Sequence, residues 1–102
     1  MPKSIKFLLL VTMFFSINTY SQEKFTLSGV IKDQISNETL IGVNIIFPEL
    51  QTGTTTNEYG FYSITLPQGS YRLQISYLGY STITESLELT QSIIKDYLLS
   101  ES

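Results

Sequence analysis

Two carboxylates, Asp33 and Glu38, flank one short polar segment and are the best-placed pair in this sequence for general acid–base chemistry. Such a pair needs a nucleophile and a group that stabilises developing charge, and no sequence signal for either accompanies it. The chain also contains no His and no Cys, which removes the commonest general base and the most reactive thiol nucleophile. We therefore predict that both carboxylates are solvated loop residues and that the protein has no catalytic residues.

Oxygen ligands for a cation are the second candidate chemistry. Asn57 and Glu58 are adjacent and could both contribute oxygens to Ca²⁺, but that ion takes about 6 to 8 oxygen ligands. The run from Asn57 to Gly60 also has Asn at the first and Gly at the fourth position of a type I turn. The sequence favours turn chemistry, and we predict no metal site. The six glycines are dispersed, so no phosphate-binding loop or cofactor is predicted either.

Aromatic side chains offer a third possibility, the binding of a sugar or a peptide. Tyr59, Tyr62, Tyr77 and Tyr80 could form a platform, since tyrosine combines an apolar ring with a polar hydroxyl. In a small β-sandwich such residues more often belong to the core or its rim. The tripeptide from Asn37 to Thr39 matches the glycosylation acceptor pattern, which in a bacterial protein is only a polar turn.

The first 21 residues have the layout of a secretory signal peptide. Lys3 and Lys6 precede an apolar run from Phe7 to Phe15, and small or polar residues then lead to Ser21. The alternative, a retained membrane anchor, would need about 20 apolar residues. We expect cleavage after Ser21, so that residues 1–21 are a signal peptide and residues 22–102 are one domain.

The charge of residues 22–102 excludes one class of partner. Nine acidic residues stand against four basic ones, Lys24, Lys32, Arg72 and Lys95, for a net charge of −5. Nucleic-acid binding relies on clustered Lys and Arg, and nothing basic is clustered here.

The chain contains no Cys, so it can form no disulfide and carry no lipid on an N-terminal Cys. Packing alone must therefore stabilise the fold.

Composition and periodicity both predict an all-β domain. Residues 22–102 contain no Ala and no Met but ten Ile and ten Thr, and β-branched residues are enriched in strands. Period-two alternation between turn signals is clearest where Leu73 and Ile75 alternate with polar residues. Glu85 interrupts one apolar face, which predicts a bulge or an edge position. Seven strands are predicted, over residues 25–32, 41–47, 53–56, 61–66, 71–77, 81–89 and 93–99, with hairpin-like reversals at 57–60 and 66–69.

Four blocks in order resemble the carboxypeptidase-regulatory-like domain family, at residues 28–33 (SGVIKD), 40–45 (LIGVNI), 53–61 (GTTTNEYGF) and 73–80 (LQISYLGY). The resemblance covers residues 25–99. It implies a seven-stranded Greek-key β-sandwich of the transthyretin (prealbumin) type. The sequence departs from the usual family pattern at Asn57, where Asp is more frequent, and at Thr39, where Pro is common. The first departure weakens the idea of a cation at this turn.

A domain of this family directly after a signal peptide is similar to the N-terminal extension of TonB-dependent outer-membrane receptors, which import nutrients in Gram-negative bacteria. The resemblance implies a non-enzymatic interaction domain with a protein partner, in the periplasm or on the periplasmic side of the outer membrane. Contact with the membrane would come only through a downstream barrel, so the chain is expected to be an extension or a truncated fragment of a receptor. The alternative is a stand-alone secreted module that binds a glycan or a cell-surface component.

Overall fold

A computed structural model describes residues 22–102 as a β-sandwich of eight strands. The predicted signal peptide, residues 1–21, lies outside the described residues. Within residues 22–102 no helix is long and apolar enough to cross a membrane. The strands are β1 (Lys24–Asp33), β2 (Asn44–Phe47), β3 (Thr52–Thr55), β4 (Phe61–Pro67), β5 (Gly69–Ser76), β6 (Ile83–Leu89), β7 (Ile93–Ile94) and β8 (Tyr97–Leu99).

The strands form two sheets of four. In sheet 1, β1 is central: β4 pairs with one side of it in antiparallel fashion, and β7 and β8 pair in turn with its other side in parallel fashion. In sheet 2 the order is β3-β2-β5-β6, with antiparallel pairing throughout. The all-β sandwich expected from the sequence is confirmed.

The core lies between the inner faces of the two sheets. Alternating residues of each strand point inward, as the period of two requires. Sheet 1 contributes Leu27, Ile31, Tyr62, Leu66, Tyr97 and Leu99, and sheet 2 contributes Ile45, Phe47, Leu73, Ile75, Leu87 and Leu89, with Val43 just before β2. The alternation predicted for residues 41–47 and 71–77 is therefore confirmed by burial.

The second predicted strand starts later than expected, at Asn44 rather than Ile41. Gly42 has a φ of 81°, a left-handed conformation that interrupts an extended chain. Gly42 and Val43 both form hydrogen bonds with Thr56. Gly42 N–H donates to the Thr56 carbonyl, and Val43 N–H donates to the Thr56 hydroxyl at 2.9 Å. Thr56 N–H donates in return to Val43 O. Two residues therefore oppose one, which ends the regular ladder.

The last predicted strand, residues 93–99, is divided into β7 and β8. The interruption falls at Lys95 and Asp96, opposite Gly29 of β1. Lys95 N–H donates to Ser28 O at 2.8 Å, and the Asp96 carboxylate accepts from Val30 N–H at 2.8 Å. A side chain thus replaces a backbone acceptor beside β1, and eight strands result instead of seven.

The two predicted hairpin-like reversals at 57–60 and 66–69 do not join paired strands. β3 pairs with β2 and β4 pairs with β1, so the turn at Asn57–Gly60 carries the chain from sheet 2 to sheet 1. The turn after Pro67 returns it to sheet 2, where β5 pairs with β2 and β6. Turn residues specify that the chain reverses, whereas strand pairing depends on the rest of the fold.

Candidate functional site

Four segments meet at one end of the sandwich, which we call the loop end. They are residues 34–43, 56–60, 77–82 and 100–102. Each segment adjoins a strand end, and the strand pairing places these strand ends at the same end of the sandwich. Backbone hydrogen bonds join the segments across the two sheets: Ser81 N–H donates to Ser100 O and Ser102 N–H donates to Gly79 O. The loop end is therefore an ordered surface built from distant parts of the sequence.

Asp33, at the end of β1, organises this surface. Its Oδ1 accepts from the backbone N–H groups of Ile35 and Ser36, each at 2.8 Å, and its Oδ2 accepts from the Tyr80 hydroxyl at 2.7 Å. Only 6% of the residue is exposed. The solvated loop carboxylate expected from the sequence is wrong for Asp33, because hydrogen-bond donors from two loops enclose it. Glu38 is exposed, as expected.

The same hydrogen bonds lower the pKa of Asp33 below its ordinary value of 3.8, chiefly through the Ser36 N–H, with the Tyr80 hydroxyl and the Ile35 N–H adding to it. The bond to Asp33 also raises the pKa of Tyr80 to about 12. Tyr80 therefore stays protonated and donates. Asp33 stays ionised and accepts, which makes the pair a structural contact.

We expect acid to weaken the domain partly through Asp33. A carboxylate whose pKa is lowered on folding contributes stability above its unfolded value, and that contribution is lost as the pH falls through the folded pKa. Asp33→Asn should lower the melting temperature at pH 7 and flatten its decline between about pH 5 and pH 2. Tyr80→Phe, which keeps both backbone contacts, should flatten it less. Circular dichroism melting curves at a series of pH values measure this, and an equal acid decline in Asp33→Asn and the parent protein would contradict it.

The four tyrosines proposed as a platform do not come together. Tyr62 is buried in the core, and its hydroxyl donates to Lys95 O at 2.7 Å. Tyr77 and Tyr80 are partly buried and pack against each other, with their ring centroids 5.5 Å apart and their planes tilted by 37°. Tyr59 alone is well exposed, at 70%. Core and rim positions thus account for three of the four.

Asn57 performs the turn chemistry predicted from the sequence. Its side-chain oxygen accepts from the N–H groups of Tyr59 at 2.9 Å and Phe61 at 3.0 Å. Gly60 has a φ of 73°, and a Cβ there would lie 2.9 Å from Ile31 O. The oxygen that could have bound a cation is occupied by two backbone donors. Across the part of the chain that the structure describes, no group of three or more Asp or Glu residues could hold a metal ion.

Glu85 lies on β6, the edge strand of sheet 2, which confirms the predicted edge position, and its register with Leu73 is regular. Its carboxylate accepts from Lys95 Nζ at 2.8 Å and from the Tyr97 hydroxyl. Burial alone would raise the pKa of Glu85, but these two donors outweigh it and lower the pKa. These bonds join the edge strand β6 of sheet 2 to the β7–β8 segment of sheet 1, and an inward-facing charge also discourages pairing with a foreign strand.

The loop end contains a cavity of about 280 Å³. Three carboxylates line it, those of Asp33, Glu38 and Glu101. The other lining residues are Ile35, Leu40, Ser36 and Tyr80. The sequence pairs Asp33 with Glu38 through the segment that they flank, but nothing in it places Tyr80 beside them. Asp33 and Tyr80 are 47 residues apart in the chain, and no local pattern reports such a contact.

Two curated relatives are TonB-dependent receptors. The chain is 32% identical over 73 residues to the TonB-dependent receptor SusC of Bacteroides thetaiotaomicron, a match that covers 72% of this chain and 7% of that receptor. It is 37% identical over 82 residues to the TonB-dependent receptor P3 of Formosa agariphila, covering 78% of this chain and 8% of that receptor. The chain thus spans less than a tenth of the length of these two receptors.

Solved structures share the fold at low sequence identity. A chain of a type II cohesin–X–dockerin complex from Acetivibrio cellulolyticus superimposes with a TM-score of 0.62 at 18% identity, covering 72% of this chain and 52% of that one. The C-terminal domain of the shaft pilin SpaA from Lactobacillus rhamnosus GG gives a TM-score of 0.59 at 13% identity, covering 79% of this chain and 100% of that one.

Residues 27–102 match the family described as the CarboxypepD_reg-like domain. The chain therefore belongs to the carboxypeptidase-regulatory-like domain family.

Proposed function

We propose that this domain is a non-enzymatic interaction domain that forms the periplasmic N-terminal extension of a TonB-dependent outer-membrane nutrient receptor. The observation that carries this proposal is the similarity over 72% and 78% of the chain to two such receptors, in their N-terminal regions. The same similarity supports export to the cell envelope. Transport itself would belong to the remainder of the receptor, since the chain matches 7% and 8% of those proteins.

The chemistry of the polar side chains supports a non-catalytic role. The two carboxylates with lowered pKa values, Asp33 and Glu85, both accept hydrogen bonds from structural donors. Burial raises the pKa values of Tyr62 and Tyr97, which keeps these phenols protonated and unable to act as bases. An effective general base has a pKa near the working pH, so a lowered pKa makes both carboxylates weak bases at neutral pH.

Protein contact is the role that the fold neighbours favour. The cohesin–X–dockerin chain belongs to a protein complex, and the pilin belongs to a pilus shaft, so sandwiches of this shape occur in assemblies held by protein interactions. A partner in the periplasm or the outer membrane fits the same pattern. The second candidate, a stand-alone secreted module for a glycan, is favoured by one observation, the exposed ring of Tyr59.

The mass and location of the native polypeptide separate the two candidates. An antibody raised against residues 22–102 is used to probe envelope and secreted fractions of the native cell. The receptor extension predicts an outer-membrane band with a mass many times the 11.6 kDa of this chain. A secreted band at or below that mass would support the stand-alone module and contradict the proposal.

A further inference from the structure

Large apolar side chains project into solvent at the loop end. Leu78 is 97% exposed and Ile35 is 91% exposed, and these two are the most exposed large hydrophobic residues in the described part of the chain. Tyr59 and Ile41 lie on the same end, at 70% and 56%. Turns normally carry polar residues at such positions, and clustered exposed apolar side chains are typical of interaction sites.

The turns that carry the two most exposed side chains are held in place by hydrogen bonds. Asp33 fixes the Ile35 turn through Oδ1 and the loop of Leu78 through Oδ2 and the Tyr80 hydroxyl. A tight turn also closes around Leu78, because Tyr80 N–H donates to Tyr77 O at 3.0 Å. Gly79, with a φ of 89°, accepts from Ser102 N–H at 3.0 Å. Loops that are already ordered lose little entropy on binding, which favours a binding surface.

The charged side chains of the loop-end segments are all acidic. The loop-end segments carry Glu38, Glu58 and Glu101, all exposed, and contain no Lys or Arg. Glu38 and Glu101 line the cavity beside Ile35 and Leu40. A partner that covers this surface must therefore supply apolar contacts and positive charge together.

We propose that the loop end docks a segment of a partner protein in which Lys or Arg alternates with large apolar side chains. The apolar side chains of that segment would pack on Leu78 and Ile35, and its cations would face Glu38 and Glu101. A second copy of this chain would oppose carboxylates to carboxylates, and an anionic membrane surface would meet the same repulsion. This inference rests on the proposed interaction function and names its surface.

Titration of the exported chain with a synthetic peptide of alternating Lys and Leu tests the docking surface. The control peptide alternates Glu and Leu. We expect saturable binding of the Lys–Leu peptide that weakens as salt rises, with amide NMR shifts centred on the loop end. The combined change Ile35→Ser and Leu78→Ser should weaken binding at least about tenfold, since each removes apolar surface from the contact. Both side chains are exposed, so melting curves should stay unchanged.

A matched variant replaces two exposed side chains of sheet 1, Ile94→Ser and Leu98→Ser, and should bind as the parent protein does. No saturable binding, equal binding of the Glu–Leu peptide, or shifts centred on the edge strand β3 would overturn the proposal. So would a salt-resistant dimer formed through the loop end. In the polypeptide that carries this domain, normal uptake with the Ile35→Ser and Leu78→Ser changes, but reduced uptake when residues 22–99 are deleted, would reject this surface while keeping the proposed function.

Discussion

Gly29→Ala should destabilise the domain by about 3 kcal/mol, the upper end of the usual range for overpacking a core. A Cβ at Gly29 would lie 1.8 Å from Lys95 O and 2.6 Å from Lys95 C, both backbone atoms that cannot rotate away. Moving the Lys95 carbonyl would also break its hydrogen bond from the Tyr62 hydroxyl. The break between β7 and β8 is therefore fixed by the absence of a side chain on β1.

Gly42→Ala is the matched control for this substitution. A Cβ at Gly42 meets no atom within 4 Å, so only its φ of 81° is penalised, at about 1–2 kcal/mol. Urea unfolding of both variants, followed by circular dichroism, gives the two free energies of unfolding. A loss at Gly29 equal to or smaller than the loss at Gly42 would show that β1 does not approach Lys95 this closely.

Leu73→Ala is expected to cost about 2–5 kcal/mol, the usual range for removing a buried leucine side chain. Leu73 is fully buried on β5, the strand that lies between β2 and β6 in sheet 2. Domains of this size have a total stability of about 5–15 kcal/mol, so the melting temperature should fall sharply or much of the population should unfold. Thermal unfolding of the purified variant measures the loss.

The neighbouring residue provides the control for register. Gln74 points to the opposite face of β5 and is only partly buried, so Gln74→Ala should change the melting temperature little. Because side chains alternate along a strand, a shift of one residue would exchange the two positions. Equal effects of the two substitutions would contradict the observed register.

Alternation predicted which residues enter the core but not which strands pair. Val43, Ile45 and Phe47 are buried as their spacing indicates, and so are Leu73 and Ile75. The turns at 57–60 and 66–69 were predicted from Asn, Pro and Gly positions, yet both connect different sheets. A turn is a local event, whereas the pairing of β1 with β7 and β8 joins residues more than 60 positions apart.

The loop end shows why the candidate site was harder to predict than the core. Asp33 looked like a solvated carboxylate because its polar neighbours suggest only a turn. It is enclosed partly by Tyr80, which lies in the loop between β5 and β6 of the other sheet. Glu85 was different: a charge on an apolar face suggested an edge strand, and β6 is one. The pattern within one strand therefore predicted the position of Glu85, whereas the burial of Asp33 depends in part on a contact between distant segments.

The proposed function is tested most directly by deleting residues 22–99 from the polypeptide that carries them in the cell and measuring nutrient uptake. The interaction function predicts a barrel that still inserts in the outer membrane, with reduced uptake or signalling. Insertion should persist because the domain forms its own core, separate from any barrel. Unchanged uptake and signalling, together with saturable binding of a free glycan to the domain, would contradict the proposal and favour a glycan-binding module.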